Sequence, residues 1–133
     1  MSKLTIRERQ INNTSVLDLD GKLRLGEGSQ EFHNAIRTLV EKGRKNIVVN
    51  LENVTSIDSS GLGELVAGYV AVTRSGGQIN LLHLSKRVHE LMFMTKLLTV
   101  FDVYDSESEA VNSFTAPAEN SQMRQPAAES GLL

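Results

Sequence analysis

One short polar segment holds the residues of this sequence that are best placed to do chemistry. It is the string Asp58-Ser59-Ser60-Gly61-Leu62-Gly63. The string follows a strongly apolar run and precedes an amphipathic stretch, so we expect it where a buried strand passes into a helix. In a parallel sheet such junctions lie together at one edge, where ligand and partner sites usually form. The segment therefore predicts a serine hydroxyl that another protein can reach.

The same residues also have a purely structural interpretation. Aspartate and serine are common helix N-caps, because their side-chain oxygens accept hydrogen bonds from the first backbone N–H groups of a helix. Glycines such as Gly61 and Gly63 allow close packing, because they carry no Cβ. Local physics alone leaves both interpretations open.

The sequence lacks the common catalytic motifs. Gly21 and Gly26 have the glycine spacing of a P-loop, but Glu27 stands where that motif needs a lysine and would repel phosphates. Neither Ser59 nor Ser60 has both flanking glycines of a hydrolase nucleophile elbow. The spacing typical of zinc sites is also missing from the three histidines, which are His33, His83 and His89. We therefore expect no enzyme activity, no metal and no cofactor.

Composition narrows the classes of partner. The chain has 133 residues, of which 40% are hydrophobic and 23% charged, as in an ordinary globular domain. It contains no cysteine, which fits a reducing cytosol, and it has neither a signal peptide nor a long apolar window. A formal charge of −2 and a pI near 5.9 lack the basic excess that drives most nucleic-acid binding. These features predict a cytoplasmic protein that inserts into no membrane and binds other proteins or small molecules.

Hydrophobic periodicity predicts an α/β fold. Strands are expected at residues 4–7, 16–19, 47–51, 79–82 and 101–104, the first two forming a hairpin around Asn12-Asn13. Helices are expected from Ser29 to Gly43, from the polar segment to Gly76, after Ser85 and after Ser106. This alternation predicts a mixed, mostly parallel sheet with an antiparallel N-terminal hairpin and about four helices. We expect one domain over residues 1–114 and a flexible tail over residues 115–133.

The stretch from Ile47 through Gly63 resembles the signature of the STAS family, and the inferred order of elements resembles that family over roughly residues 4–114. In the bacterial anti-sigma-factor antagonists of the family, the serine after the aspartate is phosphorylated by a serine/threonine kinase that is itself the anti-sigma factor. That serine is Ser59 here. By resemblance, the unphosphorylated protein binds the anti-sigma factor and frees the sigma factor, and a PP2C-type phosphatase restores this form. The resemblance also implies support of phosphotransfer by Asp58, and a partner-binding surface formed by Asp58, Ser60, Gly61, Leu62 and Gly63.

Basic residues add two expectations about the same site. Lys86 and Arg87 begin a predicted helix on the sheet edge of Ser59, if the preceding strands are parallel, and are candidates to steady a phosphate. Their alternative role is that of ordinary solvated cations. Arg24 is a departure from the family, because many relatives carry an acidic residue shortly after the glycine that ends the second strand. This reversal of charge leaves the identity of the kinase open.

Other functions share the same fold. The chain could be a STAS adaptor in a transport or lipid-trafficking complex, or a scaffold subunit of a stressosome-type assembly. The intact pair Asp58-Ser59 favours the phosphorylation switch over a transport adaptor. An enzyme is disfavoured by the absence of a convergent nucleophile, base and stabiliser.

Overall fold

The predicted alternation of strands and helices is present in the structure, a computed structural model that describes residues 4–115. Of the predicted tail, residues 116–133 lie outside the described residues. In chain order the elements are β1 (Thr5–Ile11), β2 (Thr14–Leu23), α1 (Glu27–Glu41), β3 (Asn46–Ile57), α2 (Ser59–Arg74), β4 (Gln78–Leu82), α3 (Lys86–Met94), β5 (Asp102–Tyr104) and α4 (Glu107–Asn112). Short 3₁₀ turns follow α3 and α4, at Leu97–Thr99 and Ser113–Thr115.

The strands form one five-stranded sheet in the order β1-β2-β3-β4-β5. β1 and β2 are antiparallel and are joined at Asn12 and Asn13, where Asn12 adopts a φ of 56°. The three remaining pairs are parallel. The α/β class, the mostly parallel sheet, the N-terminal hairpin and the four helices are therefore confirmed.

The two faces of the sheet are covered unequally. Successive side chains of a strand point to opposite faces, and the neighbours Val48 and Val49 accordingly belong to different hydrophobic clusters. The larger cluster lies under α1, α2 and α3 and includes Phe32, Leu65 and Met92. The smaller cluster lies under α4. The long helix that follows the polar segment is thus anchored on the main core.

β3 is longer than the sequence pattern predicts. Its register with β4 runs from Asn46 to Asn50, and the strand then continues beside β2 as far as Ile57. Two irregularities in the β2–β3 register lie in this continuation, and bulges of this kind re-aim a strand locally. Asn50 Oδ1 accepts a hydrogen bond from the Glu52 backbone N–H at the first of them (3.1 Å). The extension carries the polar segment well beyond the end of β4.

The predicted N-cap of the first helix is wrong by three residues. α1 begins at Glu27, and the residue before it is Gly26 with a φ of 104°, a conformation that favours glycine. Ser29 is not the N-cap. Its backbone N–H and its hydroxyl both donate to Arg24 O, at 2.9 and 2.8 Å. Ser29 therefore fixes the loop that precedes the helix.

Candidate functional site

Asp58 joins two separate parts of the chain at the start of α2. Its Oδ1 accepts a hydrogen bond from the Gly61 N–H (3.0 Å), which caps the helix. Its Oδ2 accepts one from the Leu25 N–H (3.1 Å), in the loop between β2 and α1. We call residues 24–26 the clasp loop, because this pair of bonds fastens them to α2. The capping role expected of Asp58 is confirmed, and the same carboxylate has a second, non-local role.

Gly61 brings the first turn of α2 against the end of β2. A Cβ built on Gly61 would lie 3.0 Å from both the Leu23 carbonyl carbon and Ile57 Cγ1, and closer still to Leu23 O. Gly63 differs, because a Cβ there would meet no atom within 4 Å. Of the two glycines proposed to allow close packing, Gly61 alone does so.

The polar segment divides into exposed and buried residues. Ser59 and Gly63 are exposed, and Ser60 is half-buried. Gly61 and Leu62 are buried, with Leu62 packed in the larger core cluster. Among the partner-binding residues that the sequence predicts, Gly61 and Leu62 therefore lie below the surface and support it. Gly63 lies on the surface.

The surroundings of Asp58 stabilise its ionised form. The hydrogen bonds from the Leu25 and Gly61 N–H groups, together with the positive charge of Arg24, hold the pKa of Asp58 below its usual range. Arg24 Nε lies 3.9 Å from Asp58 Oδ2. Arg24 Nη1 also donates a hydrogen bond to Ser56 Oγ (3.1 Å). The cation that departs from the family pattern thus lies beside the residue that precedes Ser59.

Lys86 and Arg87 occupy the first turn of α3, and both are exposed. Neither side chain forms a hydrogen bond or ion pair with another residue in the described part of the chain. The strands that lead to α2 and α3 are parallel, as assumed, but β3 runs on to Ile57 beyond its pairing with β4. Sharing a sheet edge therefore does not by itself bring these two cations to Ser59.

Sequence reasoning missed the clasp loop. Leu25 is 78% exposed, the most exposed large hydrophobic side chain of residues 4–115, and its own backbone N–H binds Asp58. A signal was available, since Leu25 is an apolar residue between polar and glycine residues, outside both the strand and the helix pattern. An exposed leucine beside a reachable serine offers apolar contact area to a partner.

A second polar cluster lies on the sheet face opposite the large core. Arg9 of β1 bridges Asp18 (Nε to Oδ2, 2.6 Å) and Glu107 at the start of α4 (Nη2 to Oε1, 2.7 Å). Asn50 donates to Asp18 Oδ1 (3.0 Å). Burial raises the pKa of Asp18, but the hydrogen bonds from Arg9 and Asn50 outweigh it and leave that pKa lowered. The cluster fastens α4 to the hairpin.

The histidines do not converge in the structure. His33 Nδ1 lies 3.1 Å from Glu64 Oε1 on the surface, between α1 and α2. His83 follows β4, and His89 is exposed on α3. Residues 4–115 contain no cluster of three or more side chains suited to a metal ion. In the same residues no helix combines the length and the apolar character needed to cross a bilayer.

Comparison with known proteins identifies the family. The STAS domain model matches residues 5–110. The chain is 33% identical over 67 residues to an anti-sigma F factor antagonist of Paenibacillus polymyxa, covering 50% of this chain and 57% of that relative. It is 32% identical over 73 residues to an anti-sigma-B factor antagonist of Staphylococcus aureus, covering 55% and 68%. The match thus spans a little over half the length of the first of these curated relatives.

Solved structures share the same fold. The unphosphorylated form of the anti-sigma factor antagonist SpoIIAA matches with a TM-score of 0.72 and 22% identity, over 84% of this chain and 96% of that one. The phosphorylated form of SpoIIAA, from Bacillus, matches with a TM-score of 0.67 and 21% identity, over 83% and 99%. These likenesses concern the fold, whereas the domain match over residues 5–110 shows that the chain belongs to the STAS domain family.

Proposed function

We propose that this protein is an anti-sigma-factor antagonist whose binding to an anti-sigma factor is switched off by phosphorylation of Ser59. The observation that carries the proposal is the position of Ser59. It is the first residue of α2, it is exposed, and it directly follows a capping aspartate. The curated relatives described above are named anti-sigma factor antagonists, which supports the first part of the proposal. In this role the protein is cytoplasmic and consists of a STAS domain over residues 1–114 and a tail over residues 115–133.

The hydroxyl is presented from a fixed support. Asp58 caps α2 and holds the clasp loop, while Gly61 seats the helix against β2. The Ser59 side chain forms no hydrogen bond to other described residues. A kinase can therefore engage the hydroxyl without first breaking a hydrogen bond within this protein. Substrate positioning of this kind lowers the entropic cost of reaching the transition state.

In the proposed reaction, Ser59 Oγ attacks the γ-phosphorus of ATP held by the anti-sigma factor. A new O–P bond forms, the bond to the ADP oxygen breaks, ADP leaves, and the hydroxyl proton passes to a base on the kinase. Asp58 is a poor candidate for that base, because both of its oxygens accept hydrogen bonds and its pKa is lowered. Asp58 therefore supports the transfer by positioning Ser59.

Phosphorylation would change the surface while preserving the fold. The phosphate adds about −1.5 to −2 charges at neutral pH, next to the carboxylate of Asp58. A partner surface that fits a neutral hydroxyl and the exposed Leu25 would then face an added negative charge and a strongly hydrated group. Ser59 is exposed, and the positive end of the helix dipole favours an anion there, so the core is undisturbed. A PP2C-type phosphatase would restore the binding form.

Lys86 and Arg87 remain a separate prediction as residues near the phosphate. Both are exposed cations in the first turn of α3. Cations are disfavoured at that end of a helix, so their position there costs a small amount of free energy. Contact with a phosphate on Ser59 would offset that cost.

The test uses candidate anti-sigma kinases with and without ATP, followed by mass spectrometry of the serine-bearing peptide. We expect Ser59→Ala to stay bound in the presence of ATP and to remain unmodified. Ser59→Asp is expected to fold and to bind at least tenfold more weakly, a loss of about 1.4 kcal/mol. Ser60→Ala is the matched control for the modification and should still be phosphorylated on Ser59. Phosphate found on Ser60, or equal binding by Ser59→Ala and Ser59→Asp, would contradict the proposal.

A further inference from the structure

Arg24 is the cation that pairs with Asp58, the residue directly before the proposed phosphorylation site. Its guanidinium lies between Asp58 Oδ2, at 3.9 Å from Nε, and Ser56 Oγ, at 3.1 Å from Nη1. The side chain is 55% exposed. It therefore lies on the protein surface, beside the residue that precedes Ser59.

The present contacts of Arg24 are weak. Asp58 already accepts backbone hydrogen bonds on both oxygens, and a separation of 3.9 Å is at the long end for an ion pair. Exposed pairs of this kind contribute little to stability. The second acceptor, Ser56 Oγ, is neutral. Little energy therefore opposes a change of partner by the guanidinium.

The backbone of Arg24, by contrast, is held firmly. Its carbonyl oxygen accepts two hydrogen bonds from Ser29, at 2.9 and 2.8 Å. The next residue, Leu25, donates to Asp58. A new contact by the guanidinium therefore costs the rotamer freedom of one side chain and no rearrangement of the loop.

A phosphate on Ser59 would be a far better acceptor than either present partner. Consecutive Cα atoms are about 3.8 Å apart, so the phosphoserine is attached one residue from the carboxylate that Arg24 already approaches. Arginine binds phosphate through two parallel hydrogen bonds, and charge-assisted bonds are roughly twice as strong as neutral ones. Placed between the phosphate and Asp58, the guanidinium would also reduce the repulsion between these two anions.

We propose that Arg24 is an internal receptor for the phosphate on Ser59, leaving Ser56 and pairing with the phosphoserine when the chain is modified. This inference rests on the proposed function, because it assigns Arg24 a role in the phosphorylated form of that site. Arg24 would then offset part of the phosphate charge within the protein. Arg24 is a positioning residue that takes no part in the phosphoryl transfer.

The experiment places phosphoserine at position 59 by genetic encoding, so that neither a kinase nor a partner is needed. Phosphorus NMR then follows the second ionisation of the phosphate, which ordinarily occurs near pH 6. We expect this pKa to be about half a unit lower in the parent chain than in Arg24→Gln, because a nearby cation favours the dianion. Arg24→Lys keeps the positive charge but loses the two parallel N–H donors of the guanidinium, so it should give an intermediate value.

Lys22→Gln is the matched control, since it removes one positive charge from an exposed residue of the same strand end. It should titrate like the parent. Equal phosphate pKa values in the parent and Arg24→Gln, or equal shifts in Arg24→Gln and Lys22→Gln, would overturn the proposal.

A second readout needs no substitution. In the parent chain the Nε–Hε resonance of Arg24 should shift and become protected from solvent exchange on phosphorylation, and an unchanged signal would also overturn the proposal. A failed titration leaves the Ser59 switch intact, while a failed kinase assay leaves the titration result intact. The two proposals are thus separately testable.

Discussion

Substitution of alanine for each of the two glycines in the first turns of α2 tests how the site is built. Both changes add one methyl group to the same helix, and Gly→Ala in a helix interior normally stabilises by about 0.5 to 1 kcal/mol. At Gly63 nothing lies within 4 Å of the new Cβ, so that gain should appear in full. At Gly61 the methyl would overlap the backbone of Leu23 and press on Ile57.

The expected magnitudes follow from these contacts. Overpacking against a closely packed site costs about 1 to 3 kcal/mol, and a backbone neighbour yields less readily than a side chain. After the helix gain is subtracted, Gly61→Ala should destabilise by up to about 2.5 kcal/mol, and because both variants share that gain they should differ by the overpacking cost alone, about 1 to 3 kcal/mol. For a domain of this size 1 kcal/mol corresponds to about 4 °C in melting temperature, which gives a difference of about 4 to 12 °C.

Thermal and urea unfolding of the two purified variants measure this difference directly. Gly61→Ala should also separate α2 from β2 enough to weaken the hydrogen bond from the Leu25 N–H to Asp58, which amide exchange at Leu25 would detect. Equal stabilities of the two variants, or a more stable Gly61→Ala, would refute the close approach of α2 to β2.

The remaining predictions concern charge. The pKa of Asp58 is lowered in the folded protein, so its charge stabilises the fold above the unfolded pKa near 4, and this contribution is lost as the pH falls through the folded value. Asp58→Asn should therefore be less stable than the parent at pH 7 in urea unfolding, with the gap narrowing below pH 4; a constant gap would contradict the role of the charge. Arg9→Gln should cost about 1 kcal/mol and raise amide exchange in α4, because Arg9 bridges Asp18 and Glu107. Exchange in α4 that matches the parent would show that this bridge does not hold the helix.

Much of the fold could be predicted because its signals are local. The i, i+3, i+4 spacing of apolar residues located α2, and Ser85 and Ser106 cap their helices as expected, each accepting a hydrogen bond from the backbone three residues on. The N-cap at Asp58 was visible for the same reason. Its contact with Leu25 was not, because a hydrogen bond between residues so distant in sequence leaves no periodic trace.

The errors have physical causes of the same kind. Ser29 looked like an N-cap, but the turn at Gly26 starts α1 earlier and turns the serine hydroxyl toward Arg24 O. The predicted end of the third strand came too early, because Glu52 and Asn53 interrupt its apolar run. Pairing with β2 through two irregular steps carries β3 past them, and such register shifts depend on the neighbouring strand.

The overhang of β3 beyond β4 has a consequence for how such a protein can diversify. The junction that carries Ser59 depends on β2, the clasp loop and the first turn of α2, whereas β4, β5 and α4 meet at the opposite end of the central strand. Substitutions at the exposed positions of that distant half should leave the geometry around the serine unchanged. Duplicated copies in one cell could therefore keep the same phosphorylation chemistry and still acquire different binding partners.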